Sequence, residues 1–229
     1  MSSERAFIRP ATSDDITFLS HICLVTGDKG NSAEHLYTIG SLLGLVYAVP
    51  YVQPELASHT FGFVIEERES KNVVGYILGA TDTRAYEAAA AVSWWPRLRE
   101  EYPLSLVEGY EEAATDDATH HDDSARLTPD DVQIIRTIHS PPPAEERCIA
   151  FSPAHMHIDI LPQYQRQGWG RRLIGTVVAH LREKGLNGLW LAMAPGNDNA
   201  AKFYARLGYE RFEDELPWTV GLRFDTWKE

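Results

Sequence analysis

The segment that most limits what this chain can fold into is His155-Met156-His157-Ile158-Asp159-Ile160-Leu161, an alternating stretch that stops at Pro162 and is soon followed by a helical stripe. Alternation sends Met156, Ile158 and Ile160 to one face of a strand and His155, His157 and Asp159 to the other. Leu173, Ile174, Val177, Val178 and Leu181 then recur near a 3.6-residue period, with Arg182 and Lys184 in the last turn and Gly185 as the stop. Between strand and helix lies Gln165-Arg166-Gln167-Gly168-Trp169-Gly170-Arg171, a glycine-containing turn that opens directly into a helix N-terminus. The first helical turn offers unpaired N–H groups at the positive end of the macrodipole, and glycines let an anion approach the backbone. Arg166 and Arg171 can add charge. A dinucleotide fingerprint would need a third glycine where Leu173 stands, and a Walker A loop would need Gly-Lys-Ser/Thr. An isolated G-x-G also serves as a plain tight turn, so the flanking sequence decides.

The flanks alternate strand-like and helical segments, which predicts a mixed α/β chain. Ala6 to Arg9 reads as a strand, and Thr12 to Asp15 as caps and first-turn charge for a helix through Phe18, Leu19 and Ile22. A second helical stretch is expected near Ser32. Phe61 to Glu67 and Val73 to Thr81, separated by polar Arg68 to Asn72, read as a hairpin. Residues 83–152 differ in texture and are expected to be an insertion in a single domain spanning residues 1–229. Within it, Tyr86 to Tyr102 looks helical and docked. The acidic stretch Glu108 to Asp131, with Glu111, Glu112, Asp116, Asp117, Asp122 and Asp123, suits a solvated or mobile segment. Downstream, Leu189 to Met193 is a strand, Pro195 to Asp198 a loop, Asn199 to Leu207 a short helix closed by Gly208, and Tyr209 to Phe212 a strand.

Composition narrows the function. In 229 residues, 44% hydrophobic and 24% charged, there is enough apolar material for a sizeable core. A net charge of −12 argues against a phosphate-backbone binder, so nucleic acid is not an expected partner. No run approaches the roughly 18 apolar residues of a membrane span, and no apolar stretch follows the opening Met-Ser-Ser-Glu-Arg, so a cytoplasmic, unanchored protein is expected. Cys23 and Cys148, far apart and outside any C-x-x-C, supply neither a disulfide framework nor a thiolate zinc site.

In context, D-I-L-P-Q-Y-Q-R-Q-G-W-G-R-R-L resembles the cofactor loop of the GNAT superfamily of N-acetyltransferases. Downstream, N-D-N-A-A-K-F-Y-A-R-L-G-Y is similar to the family's second element, and F-I-R-P-A-T-S-D-D-I to its first strand and helix. A closer likeness, in Y-A-V-P-Y at Tyr47 to Tyr51 and G-Y-I-L-G-A-T-D at Gly75 to Asp82, is to the acetyltransferase-like C-terminal domain of O-GlcNAcase and its stand-alone microbial relatives. That domain is regarded as a pseudo-acetyltransferase because its loop has degenerated, whereas this chain keeps Gln165, Gly168 and Gly170.

The resemblance implies a GNAT fold: a mixed sheet flanked by helices on both faces, the insertion falling between the third and fourth main strands. It implies acetyl-CoA as cosubstrate, its pantetheine arm along backbone groups of Ile158, Asp159 and Ile160 and its pyrophosphate on residues 165–171, namely Gln165, Arg166, Gln167, Gly168, Trp169, Gly170 and Arg171. Asn197 and Tyr204 match positions that meet the pantetheine and thioester end, with Tyr204 the candidate general acid. A phenol suits that role because its acidity is closer to a thiol's than a carboxylic acid's is. The candidates for general base are Asp159, His157 and Asp82. A histidine beside a carboxylate can have its pKa raised, as can a buried aspartate, and a bulge in the strand would reverse which side chains face the substrate. Metal ligation by His155, His157 and Asp159, or by His120, His121, Asp122 and Asp123, is not expected. The acceptor would be a small-molecule or peptide amine attacking directly in a ternary complex. The alternative is a non-catalytic acetyl-CoA-binding or protein-interaction module.

Overall fold

The structure, a computed structural model, describes residues 5–108, 110, 126–212 and 216–227. In chain order the elements are β1 (Ala6–Pro10), α1 (Ile16–Thr26), α2 (Leu42–Tyr47), β2 (Thr60–Glu67), β3 (Val73–Ala80), α3 (Thr83–Ser93), α4 (Trp95–Glu101), α5 (Pro129–His139) and α6 (Glu146–Phe151). They continue with β4 (His155–Ile160), α7 (Trp169–Glu183), β5 (Gly188–Ala192), α8 (Asp198–Arg206), β6 (Glu210–Arg211) and β7 (Thr219–Arg223). The strands form one sheet in the order β1-β2-β3-β4-β5-β7-β6. Among the described residues, only β4 and β5 run parallel.

Strand alternation divides the core in two. Val64, Tyr76, Leu78 and Ala80 pack under α1 to α5, while Ile65, Val74, Ile77, Met156, Leu189 and Leu222 pack under α7 and α8. The five stripe residues of α7 are all buried in the second cluster, where each large aliphatic side chain contributes about 1.5–3 kcal/mol. Every residue of β3 is buried, as a strand covered on both faces requires. Among the described residues, no helix is long and apolar enough to cross a membrane.

Several sequence expectations are corrected. Near Ser32 there is only the 3-10 turn Glu34–Leu36, and the second helix starts at Leu42. Tyr86 to Tyr102 is helical and docked as expected, as two helices that meet at Trp94, whose fully buried indole donates to the Leu45 carbonyl at 3.1 Å. Most of the acidic stretch, including Glu111, Glu112, Asp116, Asp117, Asp122 and Asp123, lies outside the described residues, as do His120 and His121. Its end is not solvated: Asp131 is fully buried in a capping box with Thr128 and accepts from the Thr38 and Ile39 N–H groups at 2.9 and 3.2 Å. The last strand, Thr219–Arg223, which sequence reading missed, inserts between β5 and the two-residue β6.

Candidate active site

Strand β4 is asymmetric. It pairs with β3 without a break from Gly75↔Ile160 to Ala80↔His155, so the bulge considered for this strand does not occur and its alternation holds. The shift in register lies instead in β2, at Ile65/Glu66. With β5, however, β4 meets only at His155↔Trp190. Beyond that pair the strands part, and the edge running through Ile158, Asp159 and Ile160 has no strand partner. Such an edge is a template for an extended ligand carrying amide groups. The Ile160 carbonyl already accepts from Gln165 Nε2 at 2.8 Å, so these two groups brace the loop against the strand.

The loop that follows is exposed at Gln165, Arg166, Gln167 and Gly168. Arg166 (φ +58°) and Gly168 (φ +85°) are left-handed, and Gly168 caps α7. The two glycines do different work. A Cβ at Gly168 would meet nothing within 4 Å, leaving that backbone open to a ligand. A Cβ at Gly170 would come within 2.9 Å of the Phe203 ring, so Gly170 allows α7 and α8 to approach. Trp169 is buried, with the Arg172 guanidinium 4.2 Å over its ring, and Arg171 is exposed one residue past Gly170.

On the other side of the splay, Asn197 caps α8 by accepting from the Ala200 N–H at 3.1 Å. Its carbonyl oxygen is thus engaged, while its amide N–H groups stay available. Tyr204 is buried, packed against Phe203 and Tyr209, and its hydroxyl has no partner among the described residues. Burial, with the charge of Asp159, pushes its pKa up, so the Tyr204 hydroxyl stays protonated at ordinary pH.

The opposite face of β4 carries the titratable groups. Half-buried Asp159 accepts from Tyr76 Oη at 2.6 Å, and burial outweighs that bond to raise its pKa to about 6. Beside it, Cys23 is buried and held as a thiol. His157 does not pair with Asp159. Its Nε2 meets Tyr51 Oη at 3.1 Å, and the same hydroxyl meets His155 Nε2 at 2.8 Å. Burial lowers the pKa of His157 to about 4, against the expected rise, and that of His155 to about 3. Asp82 is exposed and caps α3 through the Ala85 N–H at 3.0 Å. Among the described residues, no group of three or more His, Cys, Asp or Glu could hold a metal ion.

Sequence reading missed Tyr51, Tyr76 and Thr83, which hold the acidic and imidazole groups in place. Tyr51 and Tyr76 stood in the quoted Tyr47–Tyr51 and Gly75–Asp82 motifs, the one available signal. Tyr51 stacks on Tyr86 at 5.0 Å, so α3 packs over this face of β4.

The model of the Acetyltransferase (GNAT) family matches residues 92–209, beginning inside residues 83–152 and so not marking that segment as an addition to the fold. A solved structure described as SsHAT is similar over 96% of this chain and 98% of its own, at 30% identity and a TM-score of 0.74. The PaiA N-acetyltransferase of Thermoplasma acidophilum, solved with coenzyme A, shares the fold at 11% identity and a TM-score of 0.51, over 95% of this chain and 98% of its own. A curated relative, the [ribosomal protein bS18]-alanine N-acetyltransferase of Haemophilus influenzae, is 38% identical over 58 residues, 25% of this chain. The chain spans only 38% of that relative's length. With the family model covering just over half of its residues, this chain belongs to the acetyltransferase (GNAT) family, acyltransferases whose acetyl donor is acetyl-CoA.

Proposed function

We propose that this chain is an acetyl-CoA-dependent N-acetyltransferase that acetylates a primary amine by direct attack within a ternary complex. The observation that carries the reading is the convergence at the β4/β5 splay: an unpaired strand edge, an open helix N-terminus at Gly168, and an acid and a base flanking them. The residues present fit acetyl-CoA. The strand edge suits pantetheine amides, the α7 N-terminus with Arg166 and Arg171 suits a pyrophosphate, and the Tyr204 hydroxyl is uncommitted. When bound, acetyl-CoA supplies an activated acetyl thioester.

Asp159, with a pKa near 6, is ionised at neutral pH yet basic enough to take the proton the amine loses, which makes it a better base than His157, whose pKa is about 4, while Asp82 is committed to capping α3. Tyr204 holds the proton that the departing sulfur needs. Tyr47, Tyr51 and Tyr86 wall the acceptor side as polarizable rings suited to a cationic amine before it loses its proton. Tyr47 and Tyr51 belong to the motif that resembles the O-GlcNAcase C-terminal domain, and the closer kinship is part of this proposal. The bS18 relatives act on an alanine amine, and a peptide amine is one acceptor class to screen alongside small molecules. CoA release measured over a broad panel of primary amines tests the reading. Amine-dependent release is expected. Tight acetyl-CoA binding with only slow, amine-independent release would replace it with a non-catalytic binding module.

A further inference from the structure

Apart from Asp159 and Tyr204, the most completely connected polar cluster near the site is the chain His157, Tyr51, His155, Thr83 and Pro153. Its proton positions follow from one fixed end. The Pro153 carbonyl can only accept, and Thr83 Oγ1 lies 2.7 Å from it, so the Thr83 hydroxyl donates there. Thr83 therefore has no proton left for His155 Nδ1, 2.8 Å away, and that nitrogen must be the N–H. His155, buried and neutral, then has a bare Nε2, to which the Tyr51 hydroxyl donates. Tyr51 has spent its only proton, so His157 Nε2 must donate to Tyr51 Oη. Every link points the same way, and His157 is left with a bare Nδ1 that has no partner among the described residues.

We propose that Tyr51, His155 and Thr83 are positioning residues that lock His157 as the Nε2–H tautomer, so that its Nδ1 lone pair joins Asp159 as a second acceptor for the N–H groups of the amine. This rests on the transferase reading above and deepens it. Residues two apart on one strand face lie about 6.6 Å apart along the strand, close enough for two side chains to converge on a single nitrogen. A primary amine offers an N–H to each acceptor; a secondary amine has one fewer. The groups facing His157 are Tyr47 from α2, Tyr51 from the 3-10 turn Val49–Val52 and His155 from its own strand, with Tyr86 from α3 behind Tyr51 and Tyr76 and Cys23 around Asp159.

The test is long-range 1H–15N correlation of the full chain labelled at histidine, with His155→Gln and His157→Gln variants to assign the rings. His155 is expected as the Nδ1–H form and His157 as the Nε2–H form. Tyr51→Phe should release the His157 tautomer and raise KM for a primary amine about tenfold, the loss of one buried hydrogen bond, while leaving KM for acetyl-CoA unchanged. It should also erase the preference for a primary amine over its N-methyl analogue. Thr83→Ser should retain the tautomers and Thr83→Val lose them. The reverse tautomers, or a His157 tautomer untouched by Tyr51→Phe, would overturn the chain whatever the activity. The expected tautomers with an unchanged amine KM in Tyr51→Phe would overturn the positioning role. The expected tautomers in a protein that acetylates no amine would uphold the chain and bring down the transferase reading instead.

Discussion

The proposed cofactor side and the proposed acceptor side of the site are built from different materials. The cofactor side is backbone: an unpaired strand edge, a left-handed glycine and a helix N-terminus, all within Ile158 to Trp169. The acceptor side is side chain, assembled from residues distant in sequence, such as Tyr51 with His155 and Tyr76 with Asp159. Backbone sites tolerate most side-chain changes and fail when the chain path is blocked. Side-chain sites fail one group at a time. Substitutions on the two sides should therefore separate acetyl-CoA affinity from turnover.

The largest separation is expected for Asp159→Asn, which keeps the shape but cannot take a proton: kcat should fall about a hundred- to ten-thousandfold with acetyl-CoA affinity unchanged. In the unsubstituted protein, kcat/KM for the amine should drop as pH falls through about 6, where Asp159 becomes protonated, and steady-state rates across pH 5 to 9 check both. Tyr204→Phe, on the cofactor side but acting through a side chain, should lower kcat by a smaller factor, again with binding intact in calorimetry. A full-rate Tyr204→Phe enzyme would assign the proton delivery to water.

Smaller effects concern stability. His155 and His157 have folded pKa values near 3 and 4 against 6.5 when exposed, so below pH 6.5 the unfolded chain binds more protons and stability falls, the His157 contribution until about pH 4 and that of His155 until about pH 3. Asp159, raised to about 6 from 3.8, works in the opposite sense below pH 6 but over a narrower span. Urea midpoints should therefore drop between pH 7 and 5, and the double variant His155→Gln/His157→Gln should flatten that drop. The smallest effect is Asp82→Ala, which removes a helix cap worth about 1 kcal/mol and should leave the rate unchanged. A rate loss there would return Asp82 to the list of bases.

What was legible in the sequence follows the same division. The run from His155 to Tyr204 carries its information locally, in alternation, period and glycines, and its elements fall where expected to within a residue or two. Acceptor-side geometry was not legible, because no spacing rule relates Tyr51 to His155 or Thr83 to Pro153. Alternation placed His157 and Asp159 on one face, but it could not show that Tyr51, arriving from a turn about a hundred residues earlier, holds His157 Nε2. Asp131 was read as solvated because it follows a run of acids, yet its position three residues after Thr128 puts it in a buried cap. Both Gly168 and Gly170 suggested phosphate access, and only the packing of Phe203 tells them apart.

Whether the α7 N-terminus and the open β4 edge hold acetyl-CoA is decided by calorimetric titration of the protein and of Gly168→Asp with acetyl-CoA, with NADH as a control. Saturable binding that Gly168→Asp weakens at least tenfold, with NADH inert, is the predicted result; equal affinity in the two proteins, or no binding to either, would contradict it.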